Sequence, residues 1–271
     1  MTHYICITCG MQFADTEKPP EQCPICTDER QYVGHEGQQW TTLSDLQAEH
    51  HNRIEQQETH LYGIGTDPKF AIGQRALLIQ SASGNVLWDC ISLVDKETVR
   101  KVNELGGVSA LAISHPHYYG SAIEWAKAFN AKVYLHAADR MWMMRPDASI
   151  EFWQGETLQL NSDITLIKAG GHFDGGTVCH WASGSDRAGT LLTGDVIQVV
   201  ADRRWVSFMY SYPNYIPLSP NKVRSITAAV EPYHFDRLYG AWWTAIVSSS
   251  AKTSVRRSSE RYIKAIEDKL S

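Results

Sequence analysis

The sequence predicts an α/β protein in which a small four-cysteine module precedes one larger layered domain. Two C-x2-C pairs near the amino end mark the module, Cys6 with Cys9 and Cys23 with Cys26. From His60 onward, strand-like runs give way to alternating helices and strands, and this happens twice along the chain. With 43% hydrophobic residues, the 271-residue chain can bury one sizeable core and carry a small extra unit. The expected organisation is 1–40 for the cysteine module, 41–58 for a connecting helix and 59–271 for the main domain.

The module comes first. Two residues between thiolates let a tight turn aim both sulfurs at one ion, and two such turns facing each other make a tetrahedral S4 site. Cys6-Ile7-Thr8-Cys9-Gly10 and Cys23-Pro24-Ile25-Cys26 have this spacing, with Gly10 suited to the turn's exit. The segment Met1 to Cys9 lacks the charged and apolar regions of an export signal, so a cytoplasmic, reducing location is expected and metal is favoured over two disulfides. The pattern resembles zinc ribbons and rubredoxin-like modules, especially the short kind in rubrerythrins. Zinc as a structural staple is the expected filling and iron the alternative, because four thiolates suit either.

Leu43 to Glu58 contains no Gly or Pro and has apolar residues at about helical spacing, with Thr42 or Ser44 available as a cap. It is expected to be the connecting helix, with His50 and His51 on its solvated surface. Leu61 to Gly65, Phe70 to Ile72, Ala76 to Gln80 and Val86 to Asp89 are expected strands of an antiparallel sheet. Helices over Asp95 to Leu105 and Gly120 to Phe129 then alternate with strands over Val108 to Ser114 and Lys132 to His136. Such alternation means β-α-β units. The second half repeats the theme, with strands at Thr157 to Leu160, Ile164 to Ala169, Thr177 to Trp181 and Thr190 to Thr193, a helix at Lys222 to Val230 and a strand at Arg237 to Gly240. Ser254 to Leu270 carries Val255, Tyr262, Ile263 and Ile266 at helical intervals and closes the chain as an amphipathic helix.

Histidines stand at the ends of these strands. Ser114-His115-Pro116-His117 follows Leu111-Ala112-Ile113, Gly170-Gly171 precedes His172, and Leu191-Leu192-Thr193-Gly194 precedes Asp195. His115 and His117 are two apart and can face one way, and Pro116 stiffens the loop between them. The double glycine permits a sharp turn before His172.

In this order the features are similar to the metallo-β-lactamase fold, an αββα sandwich with metals between the sheet edges. The resemblance implies that His115, His117 and His172 hold a first metal and that Asp195 is its fourth ligand or the general base. The family's first motif, His-x-His-x-Asp-His, has Tyr119 and Gly120 in its last two places here, and Ala241-Trp242-Trp243 occupies the region of a further family histidine. The second metal's own ligands are therefore missing.

A single ion with an open position suits attack by activated water on a carbonyl, as in an ester, thioester, lactone or amide. Phosphodiester cleavage, which usually exploits two ions, is disfavoured. The catalytic residues expected are Asp195 and Tyr119, a tyrosine here being either a plug in the second-metal space or a hydroxyl for a developing oxyanion. One alternative is a mononuclear iron oxidoreductase resembling persulfide dioxygenases, with His115, His172 and Asp195 as a facial triad. Another is a degenerate binding module.

Other residues are given quieter roles. Asp89 is placed to orient a ligand, Asp174 is expected in a turn or on the surface, Cys90 and Cys179 are expected to be buried, and the aromatic run Trp205 to Tyr215 either walls a pocket or packs as a loop. The net charge of −5, with no basic tract, argues against a nucleic-acid partner. No apolar run approaches the roughly 18 residues that would span a bilayer. A small-molecule substrate is the expected partner, and the oligomeric state is not encoded in these patterns.

Overall fold

The computed structural model describes residues 1–269 and divides into two compact units, Met1–Trp153 and Gln154–Ser271. Leu270, the end of the expected final helix, lies outside the described residues.

In the first unit, β1 (Tyr4–Cys6) and, after the one-turn helix α1 (Pro24–Thr27), β2 (Trp40–Thr42) pair antiparallel. These elements carry the cysteine module. The helix α2 (Leu43–Glu49) follows, its first turn capped by the Thr42 hydroxyl, which accepts from the Asp45 N–H at 3.2 Å. Leu46 and Leu43 of α2 pack with Ile5, Leu93 and Phe70 in a small apolar cluster that joins the module to the rest of the unit.

The connecting helix expected over 41–58 is less than half the expected length, because His50 is extended and His51–Glu58 forms the strand β3. β3 is the outer strand of its sheet and is almost wholly polar, with Asn52 its one buried side chain. Charged edge strands resist pairing with other chains but carry no hydrophobic alternation, so their sequence does not look like a strand. Asn52 is held by donating to the Leu93 carbonyl and to Thr98 Oγ1.

The strands β4 (Leu61–Asp67), β5 (Arg75–Ile79) and β6 (Val86–Trp88) continue antiparallel. The expected strand at Phe70 to Ile72 is a turn instead, closed by the Gly73 N–H on the Phe70 carbonyl, with Phe70 spent on the apolar cluster beside α2. Next come α3 (Lys96–Glu104), β7 (Ala110–Ala112), α4 (Ala122–Phe129), β8 (Lys132–His136) and β9 (Ile150–Trp153). The sheet order is β3-β4-β5-β6-β7-β8-β9, parallel from β6 onward as β-α-β units require. Its central strands are buried along their whole length, which explains their unbroken apolar runs.

The second unit holds β10 (Thr157–Gln159), β11 (Ile164–Lys168), β12 (Thr177–Trp181), the short turn α5 (Gly184–Arg187) and β13 (Thr190–Gly194). Two small hairpins follow, β14 (Gln198–Val199) with β15 (Val206–Ser207) and β16 (Met209–Ser211) with β17 (Ile216–Pro217). The helix α6 (Pro220–Val230), the strands β18 (Arg237–Gly240) and β19 (Ile246–Val247) and the helix α7 (Ala251–Ile266) complete it. The sheet order is β10-β11-β12-β13-β18-β19, with β13 and β18 parallel. Val223, Ile226 and Val230 of α6 and Ala251 and Val255 of α7 bury their apolar stripes in one core with Ile167, Val178 and Leu191. Among the described residues, no helix is long and apolar enough to cross a membrane.

Candidate metal centres

The cysteine site is built by two turns. Gly10 N–H donates to the Cys6 carbonyl at 2.8 Å, with Gly10 at φ +82°, and Thr27 N–H donates to the Cys23 carbonyl at 3.0 Å. These turns bury all four thiols and bring their sulfurs within 4.8 Å of one another. Cys6 to Cys26 and Cys9 to Cys23 are each 3.6 Å apart. A disulfide needs about 2.05 Å. A tetrahedral ion with bonds of about 2.3 Å spaces its sulfurs by about 3.8 Å, so the donor set fits one divalent ion.

The crowding has an electrostatic signature. Hydrogen bonding by Cys23, then Cys26 and Cys9, holds the Cys6 thiol well below its ordinary value, while the same cluster, Cys23 foremost, pushes Cys9 and Cys26 well above theirs. Four such thiols cannot ionise together without a cation among them. Gln38 braces the set, its side-chain amide donating to Cys6 Sγ at 3.2 Å and its oxygen accepting from the Cys23 N–H at 3.1 Å. Cys90 and Cys179 are buried elsewhere, as expected.

The histidine loop of the first unit leaves β7 with His115 extended, makes one tight turn at Pro116–Tyr118 and ends at Gly120, φ +50°. Asp89, itself at φ +59°, accepts from the Ser114 N–H at 2.8 Å and so fixes the backbone immediately before His115. Ser114 Oγ bonds His115 Nδ1 at 2.9 Å, which makes Nε2 the atom that would meet an ion. The His115 and His117 rings lie 5.1 Å apart, and both side chains are buried. Burial first, then the charge of Arg30, pushes the His115 imidazole down to about 3, so it is neutral at physiological pH, the form that binds a metal.

Tyr118 packs edge-on against His115, ring centres 4.7 Å apart. Tyr119, the expected catalytic tyrosine, lines a small cavity with Met11, Gln12, Ile123, Met143 and Arg145, and burial keeps its hydroxyl protonated. Sequence alone did not distinguish these neighbours, nor did it single out Asp28 and Arg30. The Arg30 guanidinium lies 4.9 Å from the Trp142 ring centre and is bonded to both carboxylate oxygens of Asp28.

The second unit presents its own pair. Gly170 and Gly171 both adopt positive φ, and the N–H groups of Ala169 and Gly170 each donate to the Gly176 carbonyl at 2.8 Å. A Cβ on Gly176 would sit 2.1 Å from the Gly170 oxygen, so this glycine is also obligatory. The resulting loop turns His172 so that its Nδ1–H donates to the Met209 carbonyl at 3.3 Å, while Nε2 lies 3.8 Å from Asp195 Oδ1. Asp195 follows β13, and Tyr212 donates its hydroxyl to the Asp195 carbonyl at 2.9 Å. Tyr212 belongs to the aromatic run that the sequence offered as a pocket wall. Burial, then the nearby Asp195 charge, keeps it a phenol. Asp174 is an exposed partner of Lys222 at 3.1 Å, a surface role. Ala241-Trp242-Trp243 follows β18.

The model of the metallo-beta-lactamase superfamily matches residues 72–242, well over half of the chain. The chain belongs to this superfamily. It is 52% identical over 272 residues to "Uncharacterized protein YmaE" of Bacillus subtilis (strain 168), covering 100% of this chain and 99% of that one. Among solved structures, the DIM-1 metallo-beta-lactamase is similar over 79% of this chain and 98% of its own, with TM-score 0.60 and 15% identity. A B3 metallo-beta-lactamase with an active-site glutamic acid is similar over 80% of this chain and 90% of its own, with TM-score 0.55 and 18% identity. At these identities the structures establish the fold, and it is the α/β fold expected from the sequence, with a four-cysteine, zinc-ribbon-like module ahead of it. Membership in the metallo-β-lactamase superfamily supports metal dependence and, at the coarse level, hydrolysis.

Proposed function

We propose that this chain is a mononuclear metallohydrolase acting on a carbonyl-type bond, with His115, His117 and His172 as the metal ligands and Asp195 as fourth ligand or general base. The observation that carries the reading is the division of the superfamily's ligand positions. Those of a first ion are intact and buried, whereas Tyr119, Gly120 and Ala241-Trp242-Trp243 stand where a second ion's own ligands would be. The donor chemistry fits: imidazoles whose Nδ1 atoms are engaged by Ser114 and Met209, together with one buried carboxylate. A divalent ion held there supplies Lewis-acid polarisation of the carbonyl and acidifies a water for attack near neutral pH.

The chain's own residues do the rest. Ser114 and Met209 set the histidine tautomers, and Tyr212 anchors the Asp195 backbone so that its carboxylate is held close to His172 Nε2. In this reading Asp195 takes the proton released during attack. Tyr118, kept in place against His115, is the nearer candidate to share in stabilising the developing oxyanion.

The test combines elemental analysis with a panel of ester, thioester, lactone and amide substrates, using protein purified without added metal. Two metals per chain and hydrolysis lost in His115→Ala and Asp195→Asn support the reading. A histidine site that takes iron and consumes oxygen with a persulfide, without hydrolysis, would transfer the protein to the oxidoreductase class. A chain with metal in the cysteine site only, and no turnover, would make it a binding module.

A further inference from the structure

Two glycines, one from each loop of the first unit, close on the same dipeptide. A Cβ on Gly10, which follows Cys9, would lie 2.5 Å from Ser92 Oγ, and a Cβ on Gly120, which ends the histidine loop, would lie 2.9 Å from the Ile91 carbonyl carbon. Ser92 Oγ donates to the Gly10 carbonyl at 2.7 Å, and two residues further on the Gln12 N–H donates to the Gly120 carbonyl at 3.1 Å. The first cysteine turn is thus bonded directly to the far end of the histidine loop. Gln12 is fixed in turn by buried Arg145, which also pairs with Glu124 of α4. The indole of Trp125 in α4 donates to the Ile91 carbonyl at 3.2 Å, so the helix after Gly120 is seated on the same dipeptide.

The second cysteine turn carries a charge pair inward. Asp28 and Arg30 lie just beyond Cys26, and their ion pair is largely buried, with side chains 19% and 14% exposed.

We propose that the four-cysteine module is the positioning brace of the His115–His117 loop, so that filling the cysteine site stiffens residues 114–120 and tightens metal binding at the histidines. The brace takes over the mechanical part that a second ion would otherwise play in tying this loop down. Coupling of this kind is reciprocal in free energy, and a single stiffened loop is a sufficient carrier. Only the effect on metal affinity rests on the hydrolase reading; the stiffening of the loop does not.

Hydrogen exchange on the full-length His172→Ala chain isolates the brace, because that chain lacks a ligand of the proposed histidine site. With Zn2+ at the cysteines, amide exchange over 114–120 is expected to be about tenfold slower than in the chelated protein, the lower end of ordinary coupling energies. Exchange equal within about twofold overturns the brace. Should the chelated chain lose its near-ultraviolet circular dichroism altogether, Ser92→Ala with zinc retained decides the matter. Faster exchange confined to 114–120, with β12 unchanged, supports the brace, and unchanged exchange overturns it.

Cobalt(II) titration of the otherwise wild-type chain gives the second readout, the thiolate charge-transfer bands reporting the cysteine site separately. Ser92→Ala should weaken the second, thiolate-free Co2+ about fivefold or more while sparing the first, and equal affinity overturns the coupling. If the wild-type chain takes up only the thiolate-bound Co2+, the hydrolase site falls, and the exchange result still decides the brace.

Discussion

Asp89 Oδ1 accepts the Ser114 N–H at 2.8 Å across 25 residues of chain, and this one bond sets where the histidine loop leaves its strand. Asp89 holds φ +59°, a conformation that Asp and Asn adopt more readily than other non-glycine residues. Asp89→Ala leaves a buried N–H without its acceptor, and a loss of about 1–3 kcal/mol in urea unfolding is expected. Asp89→Asn keeps an oxygen acceptor and the backbone tolerance, so it should recover most of the stability. If the two variants unfold alike, the carboxylate charge matters and the hydrogen bond does not.

The two candidate centres are expected to load independently in stoichiometry. His172→Ala should reduce metal content from about two ions per chain to about one, the remaining ion being released by thiol-reactive reagents. Cys9→Ser should do the opposite. Loss of both ions in His172→Ala, or of neither, would count against two separate sites.

Much of this arrangement was legible from residue spacing. The C-x2-C pairs gave the cysteine cluster, and His115, His117, His172 and Asp195 each fall at a strand end or in the loop that follows it. Positions decided by side-chain direction were not legible. Tyr118 and Tyr119 are adjacent and both buried, yet only the fold shows that Tyr118 packs on His115 while Tyr119 lines the cavity beside Gln12 and Arg145. β3 was hidden because an edge strand built from His51, Arg53 and Glu55 has no apolar alternation to read. Asp28 and Arg30 were hidden because an ion pair two residues apart looks like ordinary surface charge until the turn around Cys26 carries it inward.

Acid should destabilise the metal-stripped fold through His115. Its imidazole is pushed down to about 3 by burial and then by Arg30, against an ordinary value of about 6.5. Between those values the unfolded chain binds a proton that the folded chain refuses, so stability is full above about 6.5 and is lost as the pH falls towards 3. His180, lowered chiefly by burial, contributes with the same sign. Urea midpoints for wild type and His115→Gln, measured under chelator at about pH 5 and pH 7.5, should show the smaller fall in the variant. Parallel falls would mean that His115 is solvated in the apo protein.

Restoring the family histidine should not restore a second ion. Gly120 has φ +50°, and any Cβ there would stand 2.9 Å from the Ile91 carbonyl carbon and 3.0 Å from its oxygen, backbone atoms that cannot rotate aside. The loop would have to move away from Ile91, and the bond from the Gln12 N–H to the Gly120 carbonyl would go with it. Gly120→His is therefore expected to cost about 1–3 kcal/mol from strain and overpacking. Metal content should stay at about two ions or fall, because the brace that orients His115 and His117 is loosened by the same change. Elemental analysis beside thermal unfolding checks this. A stable Gly120→His chain carrying a third ion would show that the loop is free to accept a second histidine-site metal, and that its missing ligands, not its packing, keep the site mononuclear.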